Sequence, residues 1–265
     1  MTARDPVRQK RGWNDLAVRA GVGGALILLG GAALLLGGLA WWALTCVAAL
    51  LMLGEWGFLV SASARDIRIS QFAASVPLAI AAPVAAGPAY FALGLVAASA
   101  IFVLLVTRQL GLARGVLYVT APALALLWLR GHEGDGLGWA VLAVGVVVAA
   151  DICAYFAGRS IGGPKLLPRV SPNKTWAGLV GAMVGATAFS AVAAAKFGLP
   201  GQLWLGAPLL AVIAQMGDLF ESHMKRRAGV KDAGTLLPGH GGVLDRLDGL
   251  VPVAPAVALL ALVLG

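Results

Sequence analysis

Cysteine is nearly missing from this 265-residue chain, and charge is scarce. Only Cys46 and Cys153 occur, each inside an apolar run. That excludes a disulfide framework and a thiolate metal site, and leaves both as small buried hydrophobes. Charged residues make up 12% of the chain, whereas a soluble domain carries about a quarter. Together with 60% hydrophobic residues and a mean hydropathy of +0.88, this excludes an ordinary soluble protein. No soluble domain, solenoid repeat or low-complexity linker is visible. The basic N-terminus, MTARDPVRQKRGWNDLAVRAG, leads into an apolar stretch much longer than the core of a signal peptide and has no small-residue cleavage site, so it reads as a retained cytoplasmic arm.

What is abundant is hydrocarbon. A spanning helix needs about 20 mainly apolar residues, and on that ruler nine spans are expected, near 20–37, 39–62, 69–86, 88–106, 114–129, 136–157, 176–195, 201–222 and 249–264. The fold class expected is all-α, a polytopic integral membrane protein. Its single membrane domain, 1–265, divides into helices one to five (1–135) and a C-terminal catalytic part with its cytoplasmic loops (136–265). The run from Ala20 to Ala62 exceeds one span and is expected to reverse at Gly37-Gly38, where glycine tolerates a tight turn.

The net charge of +8 and pI near 10.1 raise the question of nucleic acid. With a cytoplasmic N-terminus, however, 18 of the 20 basic residues fall on the cytoplasmic side and only Arg130 and Lys196 on the other. That is a positive-inside pattern, in which basic loops meet anionic headgroups. The partner expected is therefore the lipid bilayer, and no nucleic acid.

The remaining charge is concentrated. Between Gly217 and Asp248, 32 positions hold ten charged residues, with no helical or strand periodicity. Asp218, Glu221, Asp232, Asp245 and Asp248 alternate there with Lys225, Arg226, Arg227, Lys231 and Arg246 around a Pro-Gly-His-Gly-Gly turn. Ammonium and guanidinium groups suit phosphate oxygens, and His240-Gly241-Gly242 permits close backbone approach. Mg²⁺ prefers one or two carboxylates together with a substrate's phosphates, so Asp218 and Asp245 are candidates to meet across helices and hold one. A second loop, SIGGPKLLPRVSPNKTWAG, puts Lys165 and Lys174 around Ser171-Pro172-Asn173. Ser171, Asn173 and Thr175 are helix-capping types, and the helix start behind them is a phosphate-binding candidate. Contact of Lys165, Arg169 and Lys174 with lipid headgroups is the alternative. Glu55, Asp151, Asp218 and Glu221 lie in apolar spans, where a carboxylate costs about 2.5–3.5 kcal/mol, and Asp218 and Glu221 stand at i, i+3 on one helical face. Either each pairs locally for packing, or they line one cavity open to the cytoplasm.

Ser222, Lys225-Arg226, Lys231-Asp232, Pro238, His240-Gly241-Gly242, Asp245-Arg246 and Asp248 resemble the signature of the phosphatidate cytidylyltransferase (CDP-diacylglycerol synthase) family. Asp151, Ala154-Tyr155, Gly158, Lys165 and Ser171-Pro172-Asn173-Lys174-Thr175 resemble its second cytoplasmic block. The similarity covers roughly the C-terminal half. It implies a polytopic nucleotidyltransferase of phospholipid synthesis in the cytoplasmic (inner) membrane, its active site facing the cytoplasm, that condenses CTP with phosphatidic acid and releases pyrophosphate. Catalytic roles then fall to Asp218, Asp245, Lys225 and Arg226, with Mg²⁺ at Asp218 and Asp245 and room for a second cation. Substrate-binding roles fall to Lys165, Ser171, Asn173, Lys174, Thr175, Ser222, Lys231, Asp232, His240, Gly241, Gly242, Arg246, Asp248 and Asp151. A homodimer is compatible with the resemblance. One departure stands out, since Ala177 occupies a position where family members commonly have Glu. The competing readings are a CTP-dependent enzyme acting on another lipid phosphate or a lipid alcohol, and an ion-coupled transporter.

Overall fold

The computed structural model describes residues 6–168, 170–234 and 241–264, with side chains from residue 20 onward. The fold is helical: α1 (Pro6–Leu36), α2 (Gly38–Leu59), α3 (Ala64–Ile80), α4 (Phe91–Thr107), α5 (Leu110–Gly131), α6 (Gly136–Ser160), α7 (Trp176–Phe197), α8 (Leu203–Arg227), the single-turn α9 (Leu244–Leu247) and α10 (Leu250–Leu264). By length and composition α2, α5, α6, α7 and α8 can each cross a membrane, while Ala20–Leu36, α4 and α10 are shorter apolar helices. Large hydrophobic side chains point outward, with Ile27 77%, Leu105 71% and Val184 64% exposed. Such a surface is intolerable in water at this extent and natural against lipid. The chain is an all-α membrane protein.

Chain reversals follow local chemistry. Gly37, at φ 63°, separates α1 from α2. The carbonyls left at the end of α1 are met by Arg130, which donates from Nε to Leu34 O at 2.8 Å and from Nη2 to Leu35 O at 3.1 Å. An orphaned helix end is thereby satisfied by a cation at the negative pole of the dipole. Two departures from the sequence expectation have a local cause on view. Helix α3 starts at Ala64 rather than near 69, because the Ser63 hydroxyl accepts from Asp66 N–H at 3.1 Å and caps it ahead of the apolar run. The basic loop before α7 is not wholly irregular: β1 (Lys165–Leu167) and β2 (Ser171–Thr175) form a small antiparallel hairpin, pairing Lys165 with Thr175 and Leu167 with Ser171.

The C-terminal helices pack most tightly. Trp139, Leu142 and Ala143 of α6, Ala182 and Ala186 of α7, Ala207 of α8 and Val253 of α10 form a fully buried core. Helices α6 and α7 approach at Gly185, where an added methyl would lie 2.5 Å from Cys153 Sγ and 2.8 Å from Ala149 O. Small residues permit this spacing in membranes. It brings the hairpin to the C-terminal ends of α6 and α8, where Lys174 meets Gln215 and Asp218.

Candidate active site

Helix α8 organises the site. Gln215, Asp218, Glu221, Ser222 and Lys225 recur at three- and four-residue intervals, so they share one helical face. The hairpin delivers Lys174 to that face. Its ammonium donates to Gln215 Oε1 at 2.8 Å and forms an ion pair with Asp218 Oδ2. Asp218 Oδ1 also accepts from the Ser222 hydroxyl at 3.3 Å. One turn further on, Lys225 donates to Glu221 Oε2 at 3.0 Å and to Asp245 Oδ1 at 2.6 Å. Two ammoniums and three carboxylates therefore alternate along the polar end of an otherwise apolar bundle.

Asp245 fixes the chain after α8 at two points. Its Oδ2 accepts from Gly242 N–H at 2.7 Å and Ala233 N–H at 3.0 Å, tying the two ends of the 233–242 segment to one carboxylate. Gly241 has φ +81°, and a Cβ there would come within 2.7 Å of Asp245 Oδ2. Here the glycine is required both by its conformation and by the closeness of the acid. Burial opposes ionisation of Asp245, but the Lys225 ammonium and the Gly242 N–H outweigh it and hold the carboxyl below the ordinary aspartate range. Asp248 behaves in the opposite way. Burial, followed by the neighbouring Asp218 carboxylate, pushes it up to about 7, although Gly249 N–H donates to it at 2.7 Å.

The residues singled out in the sequence thus separate into groups. Asp218, Lys174, Ser222, Lys225, Asp245 and Gly242 are in direct contact with one another in the pairs described, and Asp151 and Asp248 lie near enough to act on each other's charge. Thr175 is a capping residue, its hydroxyl accepting from Gly178 N–H at 3.0 Å. Ser171 and Asn173 are strand residues instead of caps. Trp176 N–H is taken by Pro164 O at 3.1 Å, so two of the first three amides of α7 are already satisfied within the chain. Lys165, Asn173, Arg226, Lys231, Asp232 and Arg246 are exposed. His240 and Pro238 lie outside the described residues. Ala177 is half-buried in the first turn of α7.

Gln215 and Tyr118 belong to the site although the sequence did not single them out, and Glu221 and Glu55, read there only as acids of apolar spans, join it through partners the sequence did not reveal. Gln215 shares Lys174, and Glu221 shares Lys225. Glu221 is 2% exposed, and among the described residues neither its Oε1 nor the buried Tyr118 Oη finds a hydrogen-bond partner. Glu55 of α2 accepts from Val243 and Leu244 amides. The i, i+3 spacing from Asp218 marked Glu221 as facing the same way, and its place in an apolar span marked Glu55, whereas nothing local marks Tyr118 or Gln215. Among the described residues, no three His, Cys, Asp or Glu side chains converge to hold a metal by themselves.

Comparison with known proteins adds an independent line. The sequence profile described as the Cytidylyltransferase family matches residues 17–264. A protein of Brucella suis biovar 1 (strain 1330) named phosphatidate cytidylyltransferase is 50% identical over 151 residues, which is 56% of this chain and 55% of that protein. Proteins of the same name from Mycobacterium leprae (strain TN) and Mycobacterium tuberculosis (strain CDC 1551 / Oshkosh) are 44% identical over 126 residues and 40% identical over 129 residues. These matches cover 46% and 47% of this chain, and 40% and 39% of the relatives. The matching stretch spans about half the length of the first of these relatives and less of the others. With a profile match running through nearly all of its helices, the chain belongs to the Cytidylyltransferase family.

Proposed function

We propose that the chain is a CTP:phosphatidate cytidylyltransferase, condensing CTP with phosphatidic acid to give CDP-diacylglycerol and pyrophosphate at the cytoplasmic face of the inner membrane. The observation that carries this reading is the alternation of Lys174, Asp218, Glu221, Lys225 and Asp245 at the polar end of α8. A soluble triphosphate and a lipid phosphate need such a place, cationic yet bordered by hydrocarbon.

The phosphate of phosphatidic acid is already anionic at neutral pH, so its oxygen attacks the α-phosphorus of CTP without a strong base. The bond from the α-phosphorus to the bridging oxygen then breaks and pyrophosphate leaves. The protein's task is positioning and charge neutralisation. Lys225 and the exposed cations Arg226, Lys231 and Arg246 receive phosphate oxygens. Lys165, Lys174 and Ser171 hold the nucleotide or the lipid headgroup, and Gly241 and Gly242 let a substrate approach the backbone. Asp151 and Asp248 fix the ammoniums and water around them.

Asp218 and Asp245 are the residues that would hold Mg²⁺. The donor set fits: two carboxylates stand at the same end of the bundle, Glu221 Oε1 beside Lys225 finds no partner among the described residues, and no three such groups converge among them, so substrate phosphates would complete the shell. Bound there, the ion supplies neutralisation of the nucleotide oxygens as charge develops.

In this reading nine helices, α1–α8 and α10, cross the bilayer with the N-terminus cytoplasmic, and a homodimer is compatible with it. In a background without Cys46 and Cys153, cysteines introduced at the exposed positions Ala64, Gly163 and Arg227 should react with an impermeant thiol reagent from the cytoplasmic side alone. A cysteine at the exposed Glu133 should react from the opposite side only. Labelling of position 163 or 227 from outside would strand the site away from CTP. The activity itself is tested with purified protein, Mg²⁺ and CTP labelled in the α-phosphate. Label should enter the lipid phase with phosphatidic acid but not with an isoprenoid phosphate or diacylglycerol. Preference for either of the latter acceptors would shift the substrate assignment.

A further inference from the structure

We infer that Glu55 is a positioning residue of this site: its carboxylate, brought in on α2 from the N-terminal half, is the peg that fixes residues 242–244, the turn that leads into Asp245. Glu55 is 5% exposed. Val243 N–H donates to its Oε1 at 2.9 Å and Leu244 N–H to its Oε2 at 2.7 Å, across 188 and 189 residues of sequence. A methyl group at Gly242 would sit 2.6 Å from both carboxylate oxygens, and one at Gly234 would sit 2.6 Å from Oε1. The two ends of the loop thus press on the same carboxylate from two directions with no space for a side chain.

The division of labour with Asp245 is specific. Asp245 takes the amides of residues 233 and 242, and Glu55 takes those of residues 243 and 244. Four N–H groups that a loop at a membrane interface would otherwise leave unpaired are satisfied by two acids, one of which faces Lys225. Each Glu55 oxygen is engaged by a backbone amide, so the residue acts through the loop and not on substrate.

The peg is itself held in register. The neighbouring Trp56 donates its indole N–H to Gly111 O at 2.9 Å, and its ring packs against Tyr118 and Phe220 with centroids 4.9 and 6.2 Å away. Gly115 leaves the room that the ring needs. Because Phe220 belongs to α8, the height of Glu55 is indexed to the helix that carries Asp218 and Lys225. A helix from the opposite half of the chain therefore sets where Asp245 stands.

The kinetic arm of the test rests on the cytidylyltransferase reading; the exchange arm does not. Glu55→Gln keeps shape but turns one acceptor into an NH₂ facing an N–H. With CTP and phosphatidic acid, kcat should fall about 10- to 10²-fold, the loss typical of a displacement near 1 Å, while KM for phosphatidic acid stays within about twofold. Gly242→Ala should cause a comparable loss. Shortening the acid by one C–C bond, about 1.5 Å, makes room for the methyl group, so Glu55→Asp combined with Gly242→Ala should be at least about tenfold more active than Gly242→Ala alone. Additive losses, or wild-type kcat in Glu55→Gln, would overturn the inference, since generic packing damage does not reverse sign in a double-mutant cycle. Independently of turnover, hydrogen exchange of the peptide spanning 241–250 should be slow in the native chain and at least about tenfold faster in Glu55→Gln. Unchanged exchange would sink the latch even if the chain proves to have another substrate, and native protein that makes no CDP-diacylglycerol yet shows the exchange difference would overturn only the enzymatic reading.

Discussion

Asp218→Asn is expected to abolish turnover, lowering kcat by about 10³-fold or more, which corresponds to about 4 kcal/mol of transition-state stabilisation. The substitution is nearly isosteric, and Asp218 is only partly buried, so the fold has little reason to respond. What disappears is a negative charge that faces Lys174 and accepts from Ser222, in the reading that makes it a holder of the nucleotide's divalent ion. Asp245→Asn should be as severe in rate, with loosening of the 233–242 loop in addition, because Gly242 and Ala233 donate to its Oδ2. Arg227→Ala is the control. That side chain is exposed at the end of α8, and its loss should leave kcat within a few-fold. The check is steady-state kinetics on purified variants whose thermal unfolding in detergent matches the native chain. Near-native kcat in Asp218→Asn would remove that residue from the site.

Lys225→Met should have the largest effect on stability. The ammonium sits between Glu221, 2% exposed, and Asp245, whose side chain is 8% exposed. Removing the cation strands two buried carboxylates, and breaking a buried pair from one side costs about 3–5 kcal/mol. For a chain of this size that lowers Tm by roughly 10 °C. Adding Glu221→Gln to Lys225→Met deletes one of the stranded charges and should recover part of the loss. The sign of that coupling decides the matter. If the double variant is less stable than Lys225→Met, the network is not held by the charge balance described here.

Much of the helical layout was legible because hydropathy reports on it directly. Each of the nine apolar runs contains a helix, and the break at Gly37 falls where glycine alone makes the turn easy. Element ends were less so. Helix α3 begins with Arg65, Asp66 and Arg68, which an apolar ruler rejects, yet Ser63 caps it. The β1–β2 hairpin carries lysine, proline and asparagine, with no alternating pattern to announce it.

For the candidate site, the composition of the 217–248 segment pointed to the neighbourhood in which Asp218, Glu221, Lys225 and Asp245 meet, since carboxylates and cations in an apolar chain have few other reasons to gather. The pairing was not legible. Lys174 and Lys225 read as phosphate ligands because a run of cations carries charge but no partner information. In the folded chain each lies against acids, Lys174 on Asp218 and Lys225 on Glu221 and Asp245. The partners of Glu55, itself marked as an acid in an apolar span, were hidden for a different reason. They are backbone amides almost 190 residues away, and amides have no sequence signature.

The most direct measurement is a pair of reactions with purified native protein, Mg²⁺ and phosphatidic acid, one with CTP labelled in the α-phosphate and one with CTP labelled in the γ-phosphate. Condensation at the α-phosphorus predicts α-label in the extracted lipid, γ-label in water-soluble pyrophosphate, and equal amounts of the two products. Appearance of γ-label in the lipid, or of neither label, would contradict the account.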